Sequence, residues 1–242
     1  MAVSTRDIKI FAPGNLIKTN LLLAATAAVA LTGVSAIAAP PMAAFNDPTV
    51  SPVAGPVVRH SPGKQVLYTQ NSNPNYAYVN SQNDTGGQTA NDDQGVDDFI
   101  VPAGKTWKVT EVDVTGCCAY TTAITENVYF YKDKNGVPGR LVRNGSFLNL
   151  SGTGSPSFAI SLGMGVKLKA GHYWVSVVAN CDYETGCGLG WGETSTINND
   201  PALWENPGNG HGTGCTTWTT LETCLGSAYA GDFMFELQGK SK

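Results

Sequence analysis

The chain has 242 residues, of which 42% are hydrophobic and 14% are charged. This hydrophobic fraction is ordinary for a folded protein and excludes global disorder, and the net charge of −4 removes the electrostatic basis for a dedicated nucleic-acid-binding protein. Low charge combined with 28 glycines is more typical of an extracellular β-rich domain than of a helical one.

Residues 1–38 have the features of an export signal. Arg6, Lys9 and Lys18 precede an apolar stretch rich in Leu and Ala, and the Ala-Ile-Ala sequence at 36–38 is the small-x-small pattern that signal peptidase recognises. We predict cleavage after residue 38. The alternative is an uncleaved membrane anchor, which the weakly hydrophobic, Ala-rich composition disfavours. With no second long apolar run and no carboxy-terminal sorting tail, we expect a secreted or periplasmic protein without a membrane span after cleavage.

Six prolines between residues 40 and 62 predict an extended linker over 39–64, because proline fixes φ and lacks a backbone donor. A single folded domain is then expected over 65–242. Its first strand is predicted at 66–68. The following segment, 71–97, is rich in Asn, Gln, Ser and Gly and is predicted to be mostly loop.

From residue 98 onward, short apolar stretches alternate with turn sequences. In the run 105–115 the apolar residues first occupy odd positions (107 and 109) and then even ones (112 and 114). A regular strand would place these two pairs on opposite faces, which predicts a β-bulge near Thr110 and Glu111. No stretch has a helical period over a dozen residues, and no internal repeat is present. The sequence therefore predicts an all-β fold, a single β-sandwich of jelly-roll type with long disulfide-stapled loops. The remaining predicted strands lie near 99–101, 128–131, 141 onward, 158–162, 166–168, 173–179 and 233–237.

Six cysteines in an exported chain predict up to three disulfides. Cys215 and Cys224 bracket eight residues, and closing a loop of that size stabilises by roughly 2.5–3 kcal/mol in the chain-entropy model. We predict that these two are paired. A zinc site is disfavoured, because no CxxC pattern occurs and the three histidines are scattered.

The four other cysteines allow two arrangements. Cys117 and Cys118 are adjacent, and a trans peptide holds their Cα atoms too close for a disulfide between them. Two bridges to Cys181 and Cys187 would cross-link two loops at one end of the sandwich. A local bridge between Cys181 and Cys187 is the competing arrangement.

The densest acidic cluster is formed by Asp92, Asp93, Asp97 and Asp98. Calcium takes several oxygen ligands from flexible acidic loops, so this segment is a candidate calcium site, although it lacks the regular spacing of an EF-hand. Solvated loop carboxylates are the alternative. We expect no other cofactor.

Aromatic residues in the later loops are the second candidate. Trp191, Trp204 and Trp218 lie in segments rich in Gly, Asn, Thr and Pro, and exposed tryptophans can stack on sugar rings. Asp182 and Tyr183 are placed on the same candidate glycan-binding surface. The alternative is that these rings cap the ends of the sandwich and anchor the loops.

Signals for catalysis are weak. The chain has neither GxSxG nor HExxH. His60 falls in the linker and His172 on a strand, while His211 lies in a Gly-rich loop where a turn-exposed position is expected. Glu193 and Glu205 are the only candidates for a carboxylate-dependent hydrolase.

Several sequence blocks resemble an uncharacterised family of bacterial secreted β-sandwich domains, which occur alone or appended to secreted proteases. The resemblance covers nearly the whole chain after the linker and implies a non-catalytic exported domain with a Cys215–Cys224 bridge. It supplies no known active site. The Cys117, Cys118, Cys181 and Cys187 set departs from the usual pattern of the family. The matching blocks are LYTQ (67–70), SQ (81–82), DDFIVPAGKTW (97–107), YFY (129–131), GVPG (136–139), LKAGHYWVSV (168–177), WENPG (204–208) and GTGCTTW (212–218).

Three functions follow from these observations as hypotheses. The first is a non-catalytic binding or accessory module that contacts a glycan or another extracellular polymer through the loop aromatics. The alternative is a structural cell-surface or matrix protein that self-associates. A carboxylate-dependent hydrolase is the third.

Overall fold

The computed structural model describes residues 63–117, 125–148, 157–182 and 189–242. The predicted signal segment and nearly all of the predicted linker lie outside these ranges, as do Cys118, Tyr183 and Cys187. Within them 64% of the residues are in strands and 7% in helices, so the prediction of an all-β fold is confirmed. None of the described helices is long and apolar enough to cross a membrane.

The described ranges contain twelve strands, one short α-helix and two 3-10 turns at Thr89–Asn91 and Ser227–Tyr229. The strands and the helix are, in chain order, β1 (Gln65–Thr69), β2 (Pro74–Asn80), β3 (Gln82–Asp84), β4 (Gln94–Cys117), β5 (Thr125–Asp133), β6 (Pro138–Leu148), β7 (Ser157–Cys181), β8 (Gly190–Thr194), β9 (Leu203–Glu205), β10 (Thr219–Thr220), α1 (Leu221–Leu225), β11 (Asp232–Phe233) and β12 (Phe235–Ser241).

The strands form one connected sheet with the order β1-β12-β4-β7-β5-β6. Every pairing along this path is antiparallel. The short strand β3 adds to β7 in parallel, while β8 pairs with β2, β4 and β11, and β9 pairs with β4 and β10. The two longest strands, β4 and β7, therefore lie at the centre and connect the two sides of the sheet.

The long strand β4 folds back, so that the sheet makes two layers. Phe99 and Trp107 are eight positions apart, which corresponds to about 26 Å in a straight strand. Their rings nevertheless stack with centroids 6.1 Å apart. Phe99 also contacts Tyr68 of β1 and Phe130 of β5, two strands that lie on opposite sides of β4 in the strand order. The space between the layers is the hydrophobic core; the jelly-roll order of strands stays a prediction.

The strand β7 shows how the period-two pattern fills this core. Tyr173, Val175, Val177 and Ala179 are all buried and belong to the main hydrophobic cluster. Trp174, on the other face of the same strand, is also fully buried because the segment after β8 covers it. Both faces of the centre of the sheet are thus removed from water.

Two local predictions have different outcomes. The pairing of β4 with β7 shifts register between Val109 and Glu111, so the bulge predicted there is confirmed. The prediction that 71–97 is mostly loop is wrong, since β2, β3 and the start of β4 lie in it. These polar strands exist because their backbone groups pair with distant strands, β8 and β7, rather than because of an apolar alternation of their own.

The predicted Cys215–Cys224 disulfide is present, with a Cα–Cα distance of 5.8 Å. It joins the loop after β9 to α1, whose amino end is capped by Thr220. Cys181 is buried at the end of β7. Cys118 and Cys187 lie outside the described residues, so the bridges predicted for the four other cysteines stay predictions.

Candidate functional sites

Two of the three loop tryptophans are core residues, so the prediction that they form a ligand-binding platform is wrong. Trp191 and Trp204 are both fully buried. Each indole N–H donates to a backbone carbonyl, Trp191 to Met234 at 3.0 Å and Trp204 to Asn80 at 2.9 Å. Because both rings are buried and their only polar atom is already hydrogen-bonded, neither ring has a face on which a sugar could stack.

The remaining members of the predicted aromatic surface do not form a site around these rings. Trp218 is half-buried, with its ring 6.4 Å from that of Tyr131. Asp182 packs against Gly86, and Tyr183 lies outside the described residues. The glycan-binding surface predicted from the loop aromatics therefore has only Trp218 partly accessible among its described tryptophans.

The four predicted calcium ligands do not converge on one site. Asp92 accepts a hydrogen bond from the Asp84 N–H at 2.7 Å, and Asp93 accepts one from the Gln82 N–H at 2.8 Å. Asp97 and Asp98 are neighbours in a strand, so their side chains leave opposite faces. Asp92 and Asp93 thus bond the backbone of β3, whereas Asp97 accepts from Gln70 and Asp98 from the Asp200 N–H.

Asp93 is paired with His211 inside the protein. His211 Nε2 lies 3.0 Å from Asp93 Oδ2, and the two side chains are 6% and 0% exposed. The turn-exposed position expected for His211 is therefore wrong. Asn206 holds the same loop in place, because its amide donates to the carbonyls of Ala90 and Asp92 at 2.8 Å each. This constellation anchors the Gly-rich loop to the segment before β4.

A group of buried carboxyls lies between β4, β8 and β11. Asp97 Oδ2 accepts from Gln70 Nε2 at 2.6 Å and from the Phe233 N–H at 2.5 Å. Asp232 accepts from the backbone N–H groups of Asn198 and Ala202. Burial raises the pKa of Asp97 well above its ordinary value and that of Asp232 to about 7. These carboxyls satisfy backbone donors of irregular segments, which is a structural role.

The two candidates for hydrolysis, Glu193 and Glu205, lie on different strands and have different neighbours. Glu193 is fully buried on β8, where its Oε2 accepts from Asn75 at 2.9 Å, and burial raises its pKa to about 7. Glu205, on β9, lies opposite Gln94, and burial also raises its pKa to about 7. The neighbouring charge that raises the pKa of Glu193 further is that of Asp232, not that of Glu205.

Sequence reasoning missed a cluster around His172 at one end of the sheet. His172 Nε2 contacts Asp98 Oδ2 and lies 3.9 Å from Asp200 Oδ2, while its Nδ1 lies 3.8 Å from Asp133 Oδ2. The Trp174 indole N–H and the Gly136 N–H donate to Asp133 Oδ1 at 2.9 and 3.1 Å. The other carboxylate oxygen, Oδ2, is the one nearer to His172. We call these residues the His172 cluster.

The His172 cluster has the donors of a metal site. One ligand atom each from Asp98, His172 and Asp200 lies within 4.8 Å of the others, which is a spacing that a bound ion can bridge. Asp98 is fully buried, and burial raises its pKa, although hydrogen bonds from the Asp200 N–H and from His172 oppose the rise. Only Asp98 belongs to the predicted calcium set.

A groove of about 550 Å³ lies beside the middle of β4 and of β7 and the end of β12. Met164, which is 81% exposed, projects into solvent beside it from a turn whose flanking Gly163 and Gly165 have φ of 59° and 74°. Positive φ at both positions explains why glycines surround this methionine. The groove is lined by Thr106, Trp107, Lys108, Met164, Gly165, Lys167, Lys240 and Lys242.

The lysines of the groove stand in register across three neighbouring strands. Lys240 of β12 is opposite Lys108 of β4, which is opposite Lys167 of β7. In the adjacent row, Thr106 is opposite Lys169 and exchanges two backbone hydrogen bonds of 2.9 Å with Lys242. We call the five exposed lysines of these two rows the lysine grid: Lys108, Lys167, Lys169, Lys240 and Lys242.

Comparisons with known proteins place the chain in no established family. No protein-family model and no curated protein matches it. The fold is similar to a crystal structure of the cysteine protease and lectin-like domains of Cwp84, a surface layer associated protein of Clostridium difficile, with TM-score 0.46, 11% identity, and coverage of 76% of this chain and 36% of that one. It is also similar to the clostridial cysteine protease Cwp84 after propeptide cleavage, with TM-score 0.44, 13% identity, and coverage of 74% and 40%. The chain thus spans well under half of those proteins, and a likeness of this extent defines neither its family nor its function.

Proposed function

We propose that this protein is an exported, non-catalytic binding module whose groove beside Met164 holds a segment of an extracellular glycan. The observation that carries the proposal is the groove itself, which is in the size range of small-ligand sites and is open to solvent. Its walls combine an exposed thioether with lysine side chains, whose methylene stems are apolar and whose ammonium groups donate hydrogen bonds. Apolar ring faces and hydroxyl groups of a sugar match these two kinds of contact.

A non-catalytic role is supported by the positions of the acidic groups. Glu193 and Asp97 are fully buried, and each accepts a hydrogen bond from a neighbouring side chain. Groups committed to internal hydrogen bonds do not supply a general acid or base at the groove.

Self-association as a matrix component is the alternative function. Among the described strands, the edge strand β6 pairs only with β5 along the main path of the sheet, so its other side has no partner within that set. However, Arg140 and Arg143 on β6 are exposed, and charges on an edge strand oppose strand addition. Light scattering that shows no growth in mass with concentration is the result we expect.

Binding at the groove is tested by replacing Met164. We expect the protein to be retained on at least one member of a panel of neutral, acidic and amino-sugar polysaccharides. Met164→Ala should weaken that retention by about tenfold, because losing the burial of an apolar side chain costs on the order of 1–1.5 kcal/mol. Ile197→Ala is the matched control, since Ile197 is an exposed apolar side chain outside the groove, 49% accessible. Absence of retention on the whole panel, or equal losses for the two variants, would count against the proposal.

A bound cation at the His172 cluster is a second candidate function, favoured by the convergence of Asp98, His172 and Asp200. An imidazole with carboxylates suits Zn²⁺ better than Ca²⁺, which takes oxygen ligands. We expect Zn²⁺ at 100 times its Kd to stabilise the protein by about 2.7 kcal/mol, seen as a rise in Tm. Asp200→Asn should abolish the rise, while Glu222→Gln, at an exposed acid on α1, should leave it intact. A Tm that neither Zn²⁺ nor Ca²⁺ changes would refute metal binding here.

A further inference from the structure

We infer that the ligand of the groove is an acidic glycan, a polysaccharide with carboxylates on successive sugars, and that the lysine grid binds these charges. The inference rests on the proposed function and specifies its ligand class. It is carried by the register of Lys240, Lys108 and Lys167, which places one lysine on each of three adjacent strands at the same level.

The geometry of the grid suits a linear polyanion. Neighbouring strands lie about 4.8 Å apart, and residues i and i+2 of one strand project to the same face about 6.7 Å apart. Lys167 and Lys169 form one such pair on β7, and Lys240 on β12 forms another with Lys242, which follows the strand and continues its backbone pairing to Thr106. A glycan lying across the strands would therefore meet a new ammonium group at intervals comparable with the length of one sugar.

The charges of the described residues indicate that the lysine grid lacks an anionic partner in the free protein. Like charges directly opposite each other on neighbouring strands are destabilising. In the part of the chain that the structure describes, the only lysine in an ion pair is Lys64, which lies 2.5 Å from Glu111, and no member of the grid has an acidic partner. Because the whole chain carries a net charge of −4, this positive patch is a local reversal of sign rather than a general property. A bound anion would relieve the repulsion that the strand register imposes.

The lining of the groove favours a glycan over a nucleic acid. Single-stranded nucleic acids are held mainly by exposed aromatic rings on which bases stack. Among the described residues that line the groove, the one aromatic is Trp107, which is 5% exposed and stacked on Phe99. The exposed apolar element is Met164, a flexible side chain that can pack on the irregular face of a sugar ring.

The experiment compares de-esterified oligogalacturonate with the same oligosaccharide as its methyl ester, which has the same backbone without the charges. We expect the charged probe to bind at 50 mM NaCl, the methyl ester to bind at least tenfold more weakly, and 300 mM NaCl to weaken the charged complex. The triple substitution Lys108→Gln, Lys167→Gln and Lys240→Gln should lower the affinity about tenfold or more. Its matched control, Lys132→Gln, Lys134→Gln and Arg140→Gln, removes the same charge from exposed positions elsewhere and should change the affinity less than twofold.

The Tm of the ligand-free variants distinguishes a ligand-binding role of the lysines from a structural one. If the grid serves an absent anion, the Tm of the free triple variant should stay equal or rise, because cross-strand repulsion is removed. A fall in Tm would contradict this, and the single variant Lys108→Gln provides the same readout if the triple variant does not fold.

Other outcomes decide between the two proposals. Equal binding of the charged and methyl-esterified probes would overturn the acidic-glycan inference and leave the groove as a site for neutral glycans. Tighter binding of single-stranded DNA or polyphosphate through the same lysines would also overturn it. Lack of binding to the charged probe, with retention on a neutral polysaccharide that depends on Met164, would refute the inference while the proposed function stands.

Discussion

Replacing Trp191 with alanine is expected to lower the free energy of unfolding by about 3–5 kcal/mol, the range measured when large aromatic residues are truncated in protein cores. The ring is fully buried and stacks on Phe233 with centroids 4.4 Å apart. It also meets Phe235 edge-on at 6.3 Å, and its N–H bonds the Met234 carbonyl. The substitution therefore removes ring contacts, leaves a cavity and takes away one of the two donors of the Met234 carbonyl, which still accepts from the Thr115 N–H at 3.2 Å. Urea denaturation followed by circular dichroism measures the change.

Trp218→Ala is the matched control, because this tryptophan is half-buried and has one edge contact, with Tyr131. It should cost about 1 kcal/mol. If the alanine variant of Trp191 does not fold, Trp191→Phe should still lower stability measurably, since it loses the indole donor. A cost below about 1 kcal/mol for Trp191→Ala would mean that the ring is not a core residue and would restore it as a ligand-binding candidate.

Stability is expected to fall as the pH rises from about 4 to about 7. Burial raises the pKa of Glu193 and of Asp232 to about 7, against ordinary values of 4.5 and 3.8. Groups that hold their protons more tightly in the folded state than in the unfolded state stabilise the fold when protonated. Between the two pKa values the folded protein binds more protons, so that the free energy of unfolding decreases with rising pH and levels off above about 7.

Glu193→Gln isolates the contribution of one group. The groups that face Glu193 are Asp232, which raises its pKa further, Asn75, which donates to it, and Tyr229. For a fully buried carboxyl, a shift of this size corresponds to about 3 kcal/mol between pH 4 and pH 7.5, so the variant should lose about that much of the pH dependence.

The measurement is urea denaturation of the wild type, Glu193→Gln and the exposed control Glu222→Gln at pH 4 and pH 7.5. The control should keep the wild-type slope with pH. An unfolding free energy that increases between these two pH values would show that the buried carboxyls are ionised in the folded protein at low cost, contrary to the burial seen here.

Features set by neighbouring residues could be predicted from the sequence. The alternation at 173–179 places four apolar side chains on one face, and all four are buried. Between β5 and β6, Asn135 and Gly136 have φ of 58° and 78°, as expected of these residue types in a turn. The Cys215–Cys224 bridge closes a short loop and needs no knowledge of distant strands. In each case the signal and the structure lie within a few residues of each other.

The strands β2 and β3 could not be predicted, because their apolar content is low and their partners are far away. Val79 pairs with Trp191, and Gln82 pairs with Ala179. For the same reason the sequence could not decide whether Trp191 and Trp204 are exposed for a ligand or anchor the loops, since their burial depends on what packs over the loops that contain them. Gly- and Asn-rich sequence around a tryptophan is equally typical of an exposed loop and of an irregular segment folded onto a core.

By itself, the amino-acid sequence determined an all-β fold, the positions of several strands and turns, the bulge near Glu111 and one disulfide, because period-two alternation, positive-φ residues and short loop closures act locally. The tertiary structure alone decided which polar groups meet. The lysine pairs at 167 and 169 and at 240 and 242 are visible in the sequence, but only the register of β12, β4 and β7 aligns them with Lys108. His172 and Asp98 are 74 positions apart, and strand pairing brings them into contact. The physical reason is that side chains on different strands become neighbours through backbone hydrogen bonds, whose partners are chosen by the packing of the whole sheet.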